Sequence, residues 1–254
     1  MREFASQTMM IPERGIHVLL PPHATAAITE RVQSDQPIDP LDSERLAIIT
    51  EDPTLRFRFP TYSDGKDHMP ETCVTRTAEL RSIALHASSV LIESMSAAEI
   101  KKPFSVLLFG SVAKGLARYA GHTDESDIDI MVLSTLTKKE KNAFWNAFFR
   151  RKPEMRRTIE LDYPNVRVPH ISVNYQDSAQ LLNGHYKRAI SLIGSSATVL
   201  YDPNTTWEQI EAYALRRSKN LREMKSKIDN PQRTLADTKQ QNGAQILQLP
   251  LPIL

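Results

Sequence analysis

Two short segments carry residue types that suit phosphate chemistry. In Leu107-Leu108-Phe109-Gly110-Ser111-Val112-Ala113-Lys114-Gly115, an apolar run ends at Gly-Ser. In Ser126-Asp127-Ile128-Asp129-Ile130-Met131-Val132, two carboxylates stand two residues apart. Strand alternation puts Asp127 and Asp129 on one face, with Ile128 and Ile130 on the other. Carboxylates that share a face repel each other, so they belong at a wet edge or around a cation, and Mg²⁺ takes carboxylate, phosphate and water oxygens. Gly110 lets the backbone turn tightly and approach a ligand closely. Ser111 is placed to cap a helix and to offer its hydroxyl. A helix N-terminus adds free N–H groups and partial positive charge, which suit a phosphate. Lys114, expected in the first helical turn, is within reach of such a phosphate. Carboxylates at a strand start, facing a Gly-Ser cradle, are what metal-assisted phosphoryl or nucleotidyl transfer requires.

Two other phosphate-binding patterns are excluded. Gly110 and Gly115 have the Gly-x-x-x-x-Gly spacing of a P-loop, but Leu116 and Ala117 stand where Lys and Ser/Thr must follow. The Gly-x-Gly-x-x-Gly of dinucleotide binding is absent.

The elements that position these residues are legible around them. Thr75 to Met95 lacks Pro and Gly and places Leu80, Ile83, Ala84, Ala87, Leu91 and Met95 at helical spacing. After Pro103, Phe104 to Phe109 reads as a buried strand, Ser111 to Ala117 as the start of a helix, and Asp127 to Leu133 as a second strand. Lys138 to Arg150 reads as a helix. Arg157 to Tyr163 and Val166 to Tyr175 read as strands turned at Pro164-Asn165. Asp177 caps a helix running to about Ile193, and Trp207 to Ile228 is a further helix with a wet basic face. The first 74 residues are interrupted by eight prolines, from Pro12 to Pro70. They are expected to be loop-rich, with short strands at 16–20 and 55–59 and a short helix at 24–33. Their role is not legible.

The whole chain bounds the answer further. It has 254 residues, 41% hydrophobic and 24% charged, which is ordinary globular composition. The lone Cys73 excludes an internal disulfide framework and any multi-cysteine zinc site. The apolar run Phe104 to Gly110 is far shorter than a membrane span, and Ile16 to Leu20 is too short for a signal-peptide core. The expectation is a cytoplasmic protein with no membrane contact. Net charge is +2 overall, but −5 over residues 1–74, −1 over 75–137 and +8 over 138–254. A basic second half suits a phosphate-bearing partner.

Phe-Gly-Ser-x-Ala-x-Gly followed by Ser-Asp-Ile-Asp-Ile-Met-Val resembles the signature of the DNA-polymerase-β-like nucleotidyltransferase superfamily. The closest flavour is the small bacterial nucleotidyltransferase-domain proteins, which include antitoxin-type adenylyltransferases and aminoglycoside nucleotidyltransferases. The close resemblance covers residues 104–133, and the order of elements extends it to about residue 202. It implies an α/β (α+β) fold with a mixed sheet backed by helices. The domains would be an irregular Pro-rich extension over 1–74, a nucleotidyltransferase domain over 75–205, a basic helix over 206–229 and a flexible tail over 230–254. It also implies transfer of a nucleoside monophosphate from an NTP, ATP foremost, with two Mg²⁺ ions and release of pyrophosphate. By resemblance Gly110, Ser111 and Lys114 bind the nucleotide, Ser111, Asp127 and Asp129 are catalytic, and Asp127 and Asp129 hold the metal.

The sequence departs from this pattern twice. Fifteen residues separate Ser111 from Asp127, against about ten in the small members, so Ala117 to Glu125 reads as an inserted polar loop in which His122, Asp124 and Glu125 could touch substrate. The family's third carboxylate falls at His170 or Ser172, and neither is an acid. Three alternatives stand: Glu160 or Asp162 takes its place from the preceding strand, His170 serves as base or ligand, or the chain binds nucleotide and catalyses poorly. The basic cluster Arg150-Arg151-Lys152 with Arg156-Arg157 lacks the interleaved aromatics of a nucleic-acid stacking platform. The acceptor is open among a protein side chain, a small molecule and an RNA end. The rival to an enzyme is an antitoxin-like regulatory module with a protein partner.

Overall fold

A computed structural model describes residues 7–11, 16–20, 40–51, 70–115, 117–118, 125–195 and 197–229. The helix expected over 24–33 and the strand over 55–59 lie outside these residues. Strand β1 (Gln7–Ile11) pairs antiparallel with β2 (Ile16–Leu20), from Gln7 opposite Leu20 to Ile11 opposite Ile16. The expected strand at 16–20 is thus present, and its partner lies in residues read as loop. Helix α1 (Pro40–Glu51) and the start of α2 (Pro70–Ala97) also fall in the stretch read as irregular. Pro40 and Pro70 stand at helix starts, where a missing N–H costs nothing.

The four-stranded sheet that carries both motifs follows. Strand β3 (Phe104–Phe109) leads directly into the short helix α3 (Gly110–Lys114). Then come β4 (Ile128–Ser134), α4 (Lys138–Asp162), β5 (Ile171–Asp177), α5 (Ser178–Leu182), α6 (Tyr186–Gly194), β6 (Thr198–Tyr201) and α7 (Thr206–Asp229). Strand order is β5-β4-β3-β6. Strand β4 is antiparallel to β3 and parallel to β5, and β6 is antiparallel to β3. The fold is α+β with a mixed sheet.

Alternation along the strands sorts the core into two layers. Val106, Leu108, Ile128, Ile130, Val132 and Ile171 face Leu80, Ile83 and Leu91 of α2 and Phe144, Phe148, Met155 and Ile159 of α4. On the other face Leu107, Met131 and Leu133 meet Ile48 of α1, Leu192 and Ile193 of α6, and Trp207, Ile210 and Ala214 of α7. Each large side chain buried this way contributes about 1.5–3 kcal/mol. Both faces of β3 and β4 are therefore covered, which fixes the ends where Gly110 and Asp127 sit.

One expected strand is a helix. Residues 157–163 continue α4 through Asp162, because Phe144, Phe148, Met155 and Ile159 form a single buried stripe. Pro153 lies inside that helix and removes one backbone hydrogen bond. It is on the exposed side, where water can satisfy the freed carbonyl. Strand β5 accordingly begins only at Ile171. The helix expected from Asp177 divides at Gly184, which has φ +146°. Its cap is as expected, with Asp177 Oδ1 accepting from the N–H groups of Ala179 and Gln180.

The chain divides into two compact units, Met1–Leu215 and Arg216–Leu254. In the second, Arg216, Arg217 and Lys225 are exposed, and Lys219 lies 3.8 Å from Glu223. Among the described residues, no helix is long and apolar enough to cross a membrane.

Candidate active site

The antiparallel register sets Phe109 opposite Asp129, so the Gly-Ser turn and the second carboxylate meet at one end of the sheet. Gly110 has φ +76°, a conformation that L side chains rarely adopt. A Cβ at Gly110 would lie 2.5 Å from Asp129 Oδ2. The Asp129 carboxylate is packed directly against the glycine.

The turn differs in detail from expectation. Helix α3 spans five residues and stops at Gly115, φ +82°, instead of continuing to Ala117. A helix this short has a weak dipole. Its N-cap is Phe109, which provides no side-chain cap, so Ser111 is not the capping residue. The Ser111 hydroxyl donates to Ser126 Oγ at 3.0 Å, and Ser126 Oγ also accepts from the Arg118 N–H at 2.8 Å. Ser111 thus ties the Gly-Ser turn to the residue before Asp127. Lys114 is half-buried in the last turn of α3, where a cation suits the terminal carbonyls.

Helix α2 holds this arrangement from behind. Buried Arg81 donates from Nη2 to the Ala113 carbonyl at 2.6 Å, meeting the orphan carbonyls of α3. Burial lowers the Arg81 pKa to about 10, which leaves it charged at neutral pH. Thr77 Oγ1 accepts from the Ala117 N–H at 3.2 Å. Arg76, 2% exposed, lies 2.9 Å from Glu125 and 3.3 Å from Glu79, and donates to the Arg167 carbonyl at 3.0 Å. Glu125 therefore anchors the entry to β4. His122 and Asp124 lie outside the described residues. Reading the sequence alone missed these three α2 side chains. The available signal was Arg76, one turn before Leu80 on an otherwise apolar stripe.

The carboxylates differ in setting. Asp127 is 53% exposed, and Asp129 is half-buried. The Asp129 carboxyl is pushed above its ordinary pKa, first by burial and then by the charge of Asp127, with His170 pulling it back down. A cation placed between the two would relieve both effects. His170 Nδ1 lies 3.7 Å from Asp127 Oδ2, and the His170 carbonyl accepts from the Ile128 N–H at 3.0 Å. In the parallel register Ser172 lies opposite Asp129, so the position where the resemblance expects a third acid holds a hydroxyl. Glu160 and Asp162 do not replace it from a preceding strand, because both lie on α4. Glu160 is exposed and paired with Arg156 at 2.9 Å.

Among the described residues, no group of three or more His, Cys, Asp or Glu side chains converges to hold a metal. Asp127, just before β4, and Asp129, within it, form a two-carboxylate set in which the charge of Asp127 acts on Asp129. That set fits a hard cation taking its remaining ligands from phosphate and water. Comparison with protein-family models, curated proteins and solved structures gave no match.

Proposed function

We propose that this chain is a nucleotidyltransferase of the DNA-polymerase-β-like type, and that its four-stranded sheet is the core of that fold. The observation carrying this reading is the packing of the Asp129 carboxylate against Gly110, with Asp127 near enough for its charge to raise the Asp129 pKa. It brings a phosphate-approachable backbone turn and a carboxylate pair to one point.

The chain's own residues divide the work. The Gly110-Ser111 backbone takes the triphosphate, and the Ser111 hydroxyl exchanges Ser126 for a phosphate oxygen. Lys114 adds positive charge nearby. Asp127 and Asp129 would hold Mg²⁺, which when bound neutralises charge on the phosphates and carboxylates. An acceptor hydroxyl attacks the α-phosphorus of the NTP in line. The bond to the bridging oxygen breaks, and pyrophosphate leaves. With Ser172 in place of an acid opposite Asp129, His170 receives the proton of the attacking hydroxyl, and Asp127 stabilises the imidazolium. Positioning and charge neutralisation supply most of the rate.

The test is incubation with each α-³²P-labelled NTP and Mg²⁺, offering cell lysate and defined acceptors. Label transferred by the wild type and lost in Asp127→Ala/Asp129→Ala supports the reading, and the labelled species identifies the acceptor. A second reading, a nucleotide-binding regulatory module on the same fold, is favoured by Ser172 at the third position. NTP binding without transfer under any condition would select it.

A further inference from the structure

Strand β5 is the outermost strand of its sheet, and α4 packs over the sheet face that carries Ile171 and Val173. Between them lies a cleft of about 450 Å³ lined by Trp145, Phe148, Phe149 and Lys152 of α4 and by residues 170–173. That volume is in the range of small-molecule sites, about 300–1,000 Å³. The Trp145 and Phe149 rings stack with centroids 5.7 Å apart and planes 22° from parallel. Phe149 is 58% exposed, so the stack presents an open aromatic surface.

The charge beside this stack is of one sign. Lys141, Trp145, Phe149, Lys152 and Arg156 follow one another at helical spacings of four, four, three and four. They fall within an arc of about 80° and span ~22 Å of α4. Lys141 lies 4.5 Å above the Tyr175 ring of β5, which places this stripe along the strand. Arg156 shares its charge with Glu160 at 2.9 Å. No carboxylate lines the cleft itself. Of the basic cluster read as aromatic-free along the sequence, Lys152 and Arg156 share the stripe with Trp145 and Phe149, whereas Arg150 and Arg151 line another face of the helix. Cations tracking a backbone, with aromatic faces for the bases between them, suit single-stranded nucleic acid. The cleft also reaches the carboxylates, since His170 lines it and stands 3.7 Å from Asp127.

We propose that the cleft between α4 and the outermost strand β5 binds the end of a single-stranded nucleic acid. A terminal base stacks on Trp145 and Phe149, and Lys152 meets a flanking phosphate. That this end is the acceptor of the nucleotide rests on the transferase reading, whereas the binding does not.

The chain has two tryptophans. Trp207 is 2% exposed in the core, so a ligand in the cleft acts on the emission of Trp145. Full-length protein is titrated with short oligoadenylate and oligouridylate, with an RNA duplex and an acidic peptide as comparators. Quenching by the single strands is expected. Phe149→Ala should weaken their binding by about 5- to 150-fold, the range of one base–aromatic stack. Lys152→Gln should lower the slope of log affinity against log salt by about 0.7, the loss of one phosphate contact. Both side chains are at the surface, and an unchanged melting temperature confirms that each variant folds. Absence of quenching at low salt, equal affinity for the duplex, binding of the peptide alone, or unaltered affinity in Phe149→Ala overturns the proposal. Oligonucleotide binding without label transfer defeats the transferase reading and leaves this site standing. Transfer to another acceptor with no oligonucleotide binding does the reverse.

Discussion

Gly110→Ala tests whether the contact between the Gly-Ser turn and Asp129 organises the site. The substitution acts twice. At φ +76° an alanine carries the penalty of a left-handed conformation, about 1–3 kcal/mol. Reduced freedom of the unfolded chain returns about 0.4–1 kcal/mol of that. A net loss of roughly 1–2 kcal/mol lowers the melting temperature by about 2–8 °C. Independently, the new Cβ would lie 2.5 Å from Asp129 Oδ2, 3.4 Å from its Cγ and 3.5 Å from its Cβ. The carboxylate must move by the best part of an ångström, and a misplacement of that size in a reacting group lowers the rate by roughly 100-fold. Gly184→Ala is the control. It also has positive φ, but nothing lies within 4 Å of its Cβ position. Thermal unfolding and transfer of labelled nucleotide are measured for both variants below their melting temperatures. Gly184→Ala should lose stability alone, and Gly110→Ala should lose stability and at least tenfold more activity than unfolding explains. Wild-type transfer by folded Gly110→Ala would refute the idea that this contact sets the site.

Three further outcomes follow from the same geometry. Arg76→Met leaves Glu125 without its main partner, and urea unfolding should show a loss at the low end of roughly 3–5 kcal/mol, since Arg167 still stands 3.7 Å from Glu125. Asp129→Asn should abolish transfer while raising the melting temperature of the metal-free protein at neutral pH. The sign follows from the raised Asp129 pKa: its carboxyl ionises less readily folded than unfolded, so its contribution to stability falls as pH rises through the two values, and Asn removes that fall. Glu140 behaves oppositely. Its hydrogen bonds to Lys102 and Thr137 hold its pKa down to about 2, so its contribution is present above the ordinary carboxylate range and is lost as pH falls toward 2. Lys102→Ala should flatten that acid limb in melting temperature against pH.

The sequence made the strands of the site legible because alternation and an apolar run are local signals. The positions of Gly110, Asp127 and Asp129 followed from them. The course of α4 past Arg150 was less accessible, since Pro153 and the alternation over 157–163 both argue against helix. The buried stripe through Met155 and Ile159 outweighs them, and it is felt only once α2 and the sheet are packed against it. The hydrogen bond from Ser111 to Ser126 was not accessible, because it joins residues 15 positions apart with no local pattern to pair them. The aromatic face beside Lys152 was hidden for a different reason. Along the chain the cations at 150–152 follow the aromatics at 144–149, and only the helical repeat sets Lys152 beside Trp145 and Phe149 while turning Arg150 and Arg151 away.

The missing third acid bears on how the proposed site gathers its ions. With Ser172 opposite Asp129 and His170 beside Asp127, the face carries two negative charges at neutral pH when His170 is neutral. One divalent cation balances that pair, and a second would overfill it. The triphosphate brings the negative charge that a second ion needs, so nucleotide and second ion must strengthen each other's binding by the same factor. A third carboxylate would have loosened that coupling by drawing both ions in advance of the nucleotide. Under the proposed reading, a serine at this position makes the assembly of the site depend on the nucleotide. The same dependence suits a transferase that waits for NTP and a module that reports NTP, and the fate of the acceptor hydroxyl beside His170 decides between them.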